Sequence, residues 1–122
     1  MLGHLSLGVR DLPRATRFYD VVLGALGYVR LWTGKNGVGY GATGGGEELN
    51  IFQRDDATPP GPGFHLAFAA PDHAAVDRFH KAALASGGTD NGPPGLRLNY
   101  SPTYYAAFVI DPEGHRLEAV HQ

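Results

Sequence analysis

Two histidines stand at matching positions in the two halves of the chain. When the sequence is shifted by 61 positions, His4 aligns with His65 and Asp11 aligns with Asp72. The aligned stretch from residue 4 to residue 27 contains seven identities, which indicates an internal repeat. Imidazole nitrogen is among the commonest ligands of metal ions, so the repeated pair is a candidate for metal binding.

An amide and a carboxylate stand at matching positions later in each half. A shift of 68 positions places Asn50 over Glu118, each between two apolar residues. Because side chains alternate between the two faces of a strand, Asn50 and Glu118 point away from the apolar face, as His4 and His65 do. Two histidines and a carboxylate from three strands match the ligand set of an open metal site. Solvated polar groups on strand faces give the same pattern, so both interpretations stay open.

Each half has the pattern of one strand, one helix and three further strands. In the first half, alternating apolar residues predict a strand over 4–9. Apolar residues at helical spacing then predict a helix between an Asp11 cap and a stop at Gly27. The three strands that follow are expected at 28–33, 38–42 and 48–53.

The second half repeats this pattern. It predicts a strand at 64–69, a helix after Asp72, and strands at 96–99, 104–110 and 115–121. Units of about 60 residues are marginal alone, so we expect a single domain spanning 1–122. Its parts are module 1 at about 1–55, a linker at 56–63 and module 2 at about 64–122. The predicted fold class is α+β, with two tandem βαβββ modules that form a curved, mostly antiparallel eight-stranded sheet around a cleft and with the helices outside.

Composition narrows the classes of partner. The 122 residues include no cysteine, which excludes disulfides, thiolate catalysis and Cys-ligated zinc. The formal charge of −2 comes without a run of Lys or Arg, so we expect a small-molecule substrate, no nucleic acid and no membrane. The apolar stretches are shorter than the roughly 20 residues of a membrane span, and the first residues lack the pattern of a signal peptide. The expected location is therefore cytoplasmic.

Longer motifs carry a family resemblance. The segment DLPRATRFYDVVLGALGY after the first strand, the segment DPEGHRLEAV near the end and the leading histidine of each half resemble the vicinal oxygen chelate superfamily. This superfamily includes glyoxalase I, fosfomycin-resistance transferases, extradiol dioxygenases and bleomycin-resistance proteins. Its metal ligands lie on the first and last strands of each module. Carried over to this sequence, those positions are His4, Asn50, His65 and Glu118.

Asn50 departs from the four-ligand pattern of glyoxalase I, which has a carboxylate on the last strand of both modules. An amide cannot accept a proton at neutral pH, so Asn50 cannot act as the base. The remaining set, His4, His65 and Glu118, resembles the three-ligand pattern of the dioxygenase and fosfomycin-resistance branches. The cofactor that this implies is a divalent metal ion: Fe, Mn, Ni, Co or Zn. Asn50 is then a candidate catalytic residue that orients a bound water or a substrate oxygen.

Tyr105 is the second candidate catalytic residue. If the last hairpin pairs Ile110 with His115, Tyr105 lies opposite Val120 on the face that carries Glu118. Its hydroxyl can there donate a proton or stabilise an oxyanion. A purely aromatic wall is the other interpretation of this residue.

Three further residues are candidates for substrate binding. Arg97 and Tyr100 lie in or beside a long loop predicted over 90–103, where an arginine can bind a carboxylate or phosphate or can simply be solvated. Trp32 is a candidate aromatic residue of the cleft lining. The alternating glycines Gly37, Gly39 and Gly41 are expected to clear one strand face for a ligand.

Two functions from different classes fit these residues. The first is a divalent-metal-dependent lyase, isomerase or dioxygenase that acts on a small substrate with vicinal oxygens. The second is a metal-free protein that sequesters a small molecule in the same cleft, as the bleomycin-resistance branch does. In either case the resemblance implies a homodimer. The two modules that form the site pair either within one chain or across the dimer, and in the second case both chains contribute cleft residues.

Overall fold

The computed structural model describes all 122 residues and contains eight strands and two helices in the predicted order. Module 1 consists of β1 (Leu5–Val9), α1 (Leu12–Gly24), β2 (Val29–Thr33), β3 (Gly37–Gly41) and β4 (Leu49–Gln53). Module 2 consists of β5 (Leu66–Ala69), α2 (His73–Ala85), β6 (Thr89–Leu96), β7 (Tyr105–Ile110) and β8 (Arg116–His121). The α+β class and the two βαβββ modules are therefore confirmed.

The strands form two four-stranded mixed sheets, one in each module. Their strand orders are β1-β4-β3-β2 and β5-β8-β7-β6. In each sheet one pair is parallel and two pairs are antiparallel, so the mostly antiparallel prediction holds. The eight strands do not join into one continuous hydrogen-bonded sheet, because β1 and β5 are each paired on one side only. We call the side of each sheet that faces away from its helix the open face.

The helices begin and end where the sequence predicts. The carboxylates of Asp11 and Asp72 accept hydrogen bonds from the backbone N–H of Arg14 and Ala75, as N-cap residues do. Beyond the helix ends, Gly27 and Gly87 adopt φ values of +91° and +96°, a region in which glycine carries no steric penalty. Neither helix is long and apolar enough to span a membrane.

The strand register confirms the equivalence of Asn50 and Glu118. In module 1, β1 pairs with β4 so that Ser6 lies beside Asn50. In module 2, β5 pairs with β8 so that Ala67 lies beside Glu118. Because alternate residues of β4 and β8 are buried in the core, both polar side chains lie on the open faces.

The predicted register of the last hairpin is wrong by one residue. Ile110 pairs with Arg116 rather than with His115. The turn is a three-residue loop in which Asp111 N–H donates to the carbonyl of His115 and Gly114 adopts a φ of +99°. A shift of one residue exchanges the two faces of β7, so it moves Tyr105 to the helix side.

The strand predicted at 96–99 lies earlier in the chain. β6 covers Thr89–Leu96 and pairs with β7 through two irregularities, one on each side of Gly92. The Gly92-Pro93-Pro94-Gly95 run has the composition of a loop, yet prolines are tolerated here because β6 is the edge of its sheet. The loop between β6 and β7 is correspondingly shorter than the predicted 90–103 segment.

The turn between β7 and β8 joins module 2 to module 1. Both carboxylate oxygens of Glu113 accept backbone N–H groups at the start of α1, from Arg10 at 2.7 Å and Asp11 at 2.9 Å. Asp111 Oδ2 accepts the buried Tyr19 hydroxyl of α1 at 2.7 Å and the His115 ring at 2.8 Å. Burial raises the pKa of Asp111, but the hydrogen bonds from His115 and Tyr19 outweigh it and leave that pKa lowered. The DPEGH segment of the sequence therefore has a structural role at the junction.

Candidate metal and substrate site

Glu118 is the centre of a polar cluster on the open face of module 2. Its side chain is almost fully buried, and both of its oxygens accept hydrogen bonds. Oε1 lies 2.8 Å from Nε2 of His65, and Oε2 accepts the Tyr104 hydroxyl at 2.5 Å. The structure thus brings together two of the predicted metal ligands, His65 and Glu118.

Tyr104 is a site residue that the sequence analysis missed. It directly precedes β7, and the observed register places it on the same face as Glu118. Burial, followed by the hydrogen bond to Glu118, raises the pKa of Tyr104 to about 12, so its hydroxyl stays protonated at neutral pH. The signal was present in the adjacent pair Tyr104-Tyr105, but only the register decides which of the two faces Glu118.

A depression of about 370 Å³ opens beside this cluster. Six residues line it: His65, Tyr100, Ser101, Tyr104, Glu118 and Gln122. The exposed Tyr100 ring packs edge-on against Tyr104, with centroids 5.0 Å apart, so it forms part of the rim. A separate apolar groove of about 250 Å³ between β1 and β5 contains none of the predicted site residues.

Tyr105 lies outside this depression, contrary to the predicted placement. Its hydroxyl donates to Asp77 of α2 at 2.6 Å, and its ring stacks on His73 at a centroid distance of 3.9 Å. It therefore belongs to the packing between β7 and α2. The cause is the one-residue register difference of the last hairpin.

The open face of module 1 is built around Asn50 and Trp32. The indole Nε1–H of Trp32 donates to Oδ1 of Asn50 at 2.9 Å, and the Trp32 ring packs against Phe52. Gly37 and Gly39 of β3 lie beneath this ring, and Gly39 pairs with Asn50. A Cβ atom at Gly39 would overlap the indole. The face that the glycines clear is thus covered by Trp32 rather than left open for a ligand.

The bond from Trp32 determines what Asn50 can do. An indole N–H is only a donor, so the atom that faces it must be the amide oxygen of Asn50. The Nδ2 group then remains without a partner in the chain, and its two N–H donors are available to a ligand. Asn50 is consequently suited to donate hydrogen bonds to a substrate oxygen.

His4 is separated from the other predicted ligands. It precedes β1, is exposed, and belongs to the open face of module 1. No three side chains of His, Cys, Asp or Glu lie together in the chain as a metal site requires. The structure therefore places His65 with Glu118 and leaves His4 apart from them.

Arg97 lies on the open face of module 2, next to Tyr104 across the β6–β7 pair. Its guanidinium carbon is 5.4 Å from the centre of the Phe108 ring. The same ring is 6.1 Å from that of His65, and Phe108 is the register partner of Glu118. Arg97 thus neighbours the Glu118 cluster through Phe108.

Comparison with known families agrees with this architecture. The model of the Glyoxalase/Bleomycin resistance protein/Dioxygenase superfamily matches residues 1–119. The chain belongs to this superfamily. A comparison with curated proteins found no match, so the superfamily assignment comes without a specific activity.

Solved structures of the superfamily resemble the chain over nearly its whole length. A glyoxalase/bleomycin resistance protein from Albidiferax ferrireducens T118 is 35% identical with a TM-score of 0.86, and the match covers 100% of this chain and 98% of that chain. A glyoxalase-related enzyme from Fulvimarina pelagi is 20% identical with a TM-score of 0.77 over 100% and 88% of the two chains. A fosfomycin resistance protein from Listeria monocytogenes is 19% identical with a TM-score of 0.70 over 98% and 91%. The last two similarities show the fold alone.

The superfamily generally uses divalent metal ions, and the donors of module 2 fit such an ion. Two ligands held about 2.1 Å from one ion at a right angle are about 3 Å apart. Nε2 of His65 and Oε1 of Glu118 are separated by 2.8 Å, and Tyr104 fixes the orientation of the carboxylate. Second-sphere hydrogen bonds of this kind commonly orient metal ligands. A single chain supplies these two donors, and the third predicted donor, His4, lies on the other module.

Proposed function

We propose that the protein is a homodimeric, divalent-metal-dependent enzyme of the lyase, isomerase or dioxygenase type that acts on a small substrate with two adjacent oxygens. In this proposal His65 and Glu118 of one copy and His4 of a second copy hold the ion. The observation that supports it most directly is the close approach of His65 and Glu118, with Glu118 buried and oriented by Tyr104.

A second copy is part of the proposal because the predicted ligands lie on two sheets that share no strand pairing. When two open faces meet, module 1 of one copy can face module 2 of the other. This arrangement would bring His4 and Asn50 opposite His65 and Glu118. The ion, when bound, would supply a Lewis acid that favours negative charge on substrate oxygens.

The side chains of this protein then have distinct tasks. Asn50 donates its free amide N–H groups to a substrate oxygen, and Trp32 holds the amide in that orientation. Tyr104 keeps a proton on its hydroxyl and fixes the orientation of the Glu118 side chain through a hydrogen bond to Oε2. Tyr100 and Arg97 lie where they can contact the substrate at the rim and beside Phe108. The location that we propose is cytoplasmic.

Metal analysis tests the ligand set. Chains freed of metal with a chelator are dialysed against Fe, Mn, Ni, Co or Zn, and bound metal is measured by mass spectrometry. We expect one ion for each wild-type chain and none for His4→Ala or Glu118→Gln, with circular dichroism unchanged. Failure of the folded wild-type chain to bind any of the five metals would overturn the proposal.

A mixing experiment tests whether the site is shared between chains. His4→Ala and Glu118→Gln chains are unfolded together, refolded and compared with each variant alone. Random pairing makes half of the dimers mixed, and each mixed dimer has one intact set, so about a quarter of the wild-type metal content should return. If no metal binding returns although mixed dimers form, the ligands do not come from two chains.

A metal-free binding protein is the second candidate function. The hydrogen bonds among His65, Glu118 and Tyr104 satisfy both carboxylate oxygens with groups of the chain itself, which favours this alternative. It requires the same depression to take up a small molecule without turnover. Stoichiometric metal binding that His4→Ala abolishes would exclude it.

A further inference from the structure

Arg97 differs from every other arginine of the chain in its burial. The other seven arginines are exposed, whereas Arg97 is partly buried. Three of those exposed arginines, Arg10, Arg14 and Arg30, lie beside carboxylates, but Arg97 has no ion-pair partner. Because no carboxylate of the chain pairs with it, the Arg97 guanidinium keeps its charge available to an anionic ligand.

The backbone of β6 is shaped to hold this guanidinium. Nη1 of Arg97 donates to the carbonyl of Gly95 at 2.8 Å, and Nη2 donates to the carbonyl of Pro93 at 2.7 Å. A Cβ atom at Gly92 or Gly95 would lie 3.2 Å or 3.4 Å from these two nitrogens. The Gly92-Pro93-Pro94-Gly95 run therefore forms a cradle that packs closely around the guanidinium, most tightly at Gly92.

The cradle leaves binding capacity unused. A guanidinium has five N–H donors, of which two are engaged with backbone carbonyls here. The remaining donors suit an oxyanion, since a guanidinium matches carboxylate and phosphate oxygens in geometry and charge. Phe108 supports the cation from one side and also contacts His65, so an anion at Arg97 would lie beside the Glu118 cluster.

The charges around the cluster favour the same kind of ligand. On this part of the open face the cationic side chains are Arg97 and the exposed Arg116, which lines a depression together with His65 and Phe108. Glu118 is the carboxylate of the cluster, and its oxygens are occupied by His65 and Tyr104. A further carboxylate, Asp90, accepts the N–H of Gly92 at 3.1 Å and lies 2.8 Å from Nε2 of His80 on α2. On the open face itself the two arginines outnumber Glu118, which favours an anionic ligand.

We propose that Arg97, held in the Gly92–Gly95 cradle, is an anion receptor that makes the protein selective for small substrates bearing a carboxylate or phosphate group. This proposal rests on the proposed function, which identifies the Glu118 cluster as the substrate site. The anionic group of the substrate would then lie beside the residues that bind its vicinal oxygens. Anion binding by Arg97 itself requires no metal.

The test uses metal-free protein and methylphosphonate, observed by ³¹P NMR, with acetate as a planar competitor. The neutral dimethyl ester of methylphosphonate is the uncharged control ligand. We expect saturable binding of methylphosphonate to the wild type, at least tenfold weaker binding to Arg97→Gln, and less than a twofold change for Arg17→Gln, an exposed arginine of α1. If acetate displaces methylphosphonate, the site also accepts carboxylates. If it does not, the site is restricted to tetrahedral, phosphate-like groups.

Three results would overturn the proposal: no saturable binding by the wild type, equal binding by Arg97→Gln, or equal binding of the neutral ester. If Arg97→Gln does not fold, Arg97→Lys replaces it in the test, because lysine keeps the charge but loses the bidentate geometry of the guanidinium. We expect Arg97→Lys to bind methylphosphonate at least threefold more weakly than the wild type does. Metal content is measured on the same variants. Arg97→Gln should bind metal as the wild type does, so a failure of the metal site and a failure of the anion site give different results.

Discussion

Trp32 donates its indole N–H to the amide oxygen of Asn50, and this bond turns the amide N–H groups toward the open face of module 1. The residue at this position therefore acts as a donor, whereas its counterpart in module 2, Glu118, acts as an acceptor. The two modules share a backbone pattern and differ in the chemistry that they contribute. Several consequences can be measured.

Asn50→Asp should strengthen metal binding. The aspartate keeps one oxygen for the Trp32 N–H and adds a second oxygen in place of the amide nitrogen, which supplies the fourth ligand. We expect an affinity at least tenfold higher in competition with a chromophoric chelator. Asn50→Leu, which supplies no ligand, is the control. An unchanged affinity of Asn50→Asp would mean that Asn50 does not adjoin the ion.

Gly39→Ala should displace Trp32. A methyl group at Gly39 would overlap the indole and approach Oδ1 of Asn50 to 2.7 Å. Trp32 is the only tryptophan of the chain, so its fluorescence reports this change directly. We expect a shift of the emission maximum and a destabilisation of about 1–3 kcal/mol. Gly44→Ala is the control. Nothing lies within 4 Å of a Cβ atom at Gly44, although its φ of +81° means that this variant is also strained. Its emission spectrum should remain that of the wild type.

Tyr104→Phe and Tyr105→Phe form a matched pair. Loss of the Tyr104 hydroxyl leaves an oxygen of the buried Glu118 without its donor, which we expect to cost about 1–3 kcal/mol of unfolding free energy. The Tyr105 hydroxyl bonds to an exposed Asp77, so its removal should cost less than about 1 kcal/mol. Urea unfolding measures both. The reverse order would indicate that Tyr105, rather than Tyr104, contacts Glu118.

Asp111 should make the stability of the protein sensitive to acid. Its pKa is lowered in the folded state, so the carboxylate contributes stability above its unfolded pKa of about 3.9. That contribution is lost as the pH falls through the lowered folded pKa. Asp111→Asn should be less stable than the wild type by about 2–4 kcal/mol at pH 7, because Tyr19 and His115 lose their charged acceptor. Urea unfolding at several pH values should show that the stability difference between Asp111→Asn and the wild type becomes smaller below pH 4. A stability difference that does not depend on pH would contradict the role given to the Asp111 carboxylate.

The sequence predicted those features that depend on hydrophobic periodicity. The helix caps at Asp11 and Asp72 and the equivalence of Asn50 with Glu118 all rest on repeated apolar patterns, and the structure confirms them. These features are local or are repeated in both halves, so the pattern is sufficient to predict them.

The features that the sequence analysis placed wrongly depend on turn geometry and side-chain direction. A hairpin loop of three residues instead of four exchanged Tyr104 and Tyr105, because neither residue type prefers one face of a strand. The strand β2 has a register irregularity between Arg30 and Trp32, directly before the side chain that covers Gly37 and Gly39 of β3. Hydrophobic periodicity does not predict a bulge of this kind. The separation of His4 from His65 depends on how the modules pack, which composition and spacing leave undetermined.

The bonds from Glu113 and Asp111 to α1 connect the two halves, so we expect that neither half folds independently. Alone, a fragment of residues 1–63 would begin α1 with two backbone N–H groups lacking Glu113 and would have no Asp111 acceptor for Tyr19. The complementary fragment 64–122 would leave that turn without its partner helix. We therefore expect each fragment to be largely unfolded alone and the two to regain helical structure when mixed. Although the sequence carries a repeat, we expect its folding unit to be the whole chain.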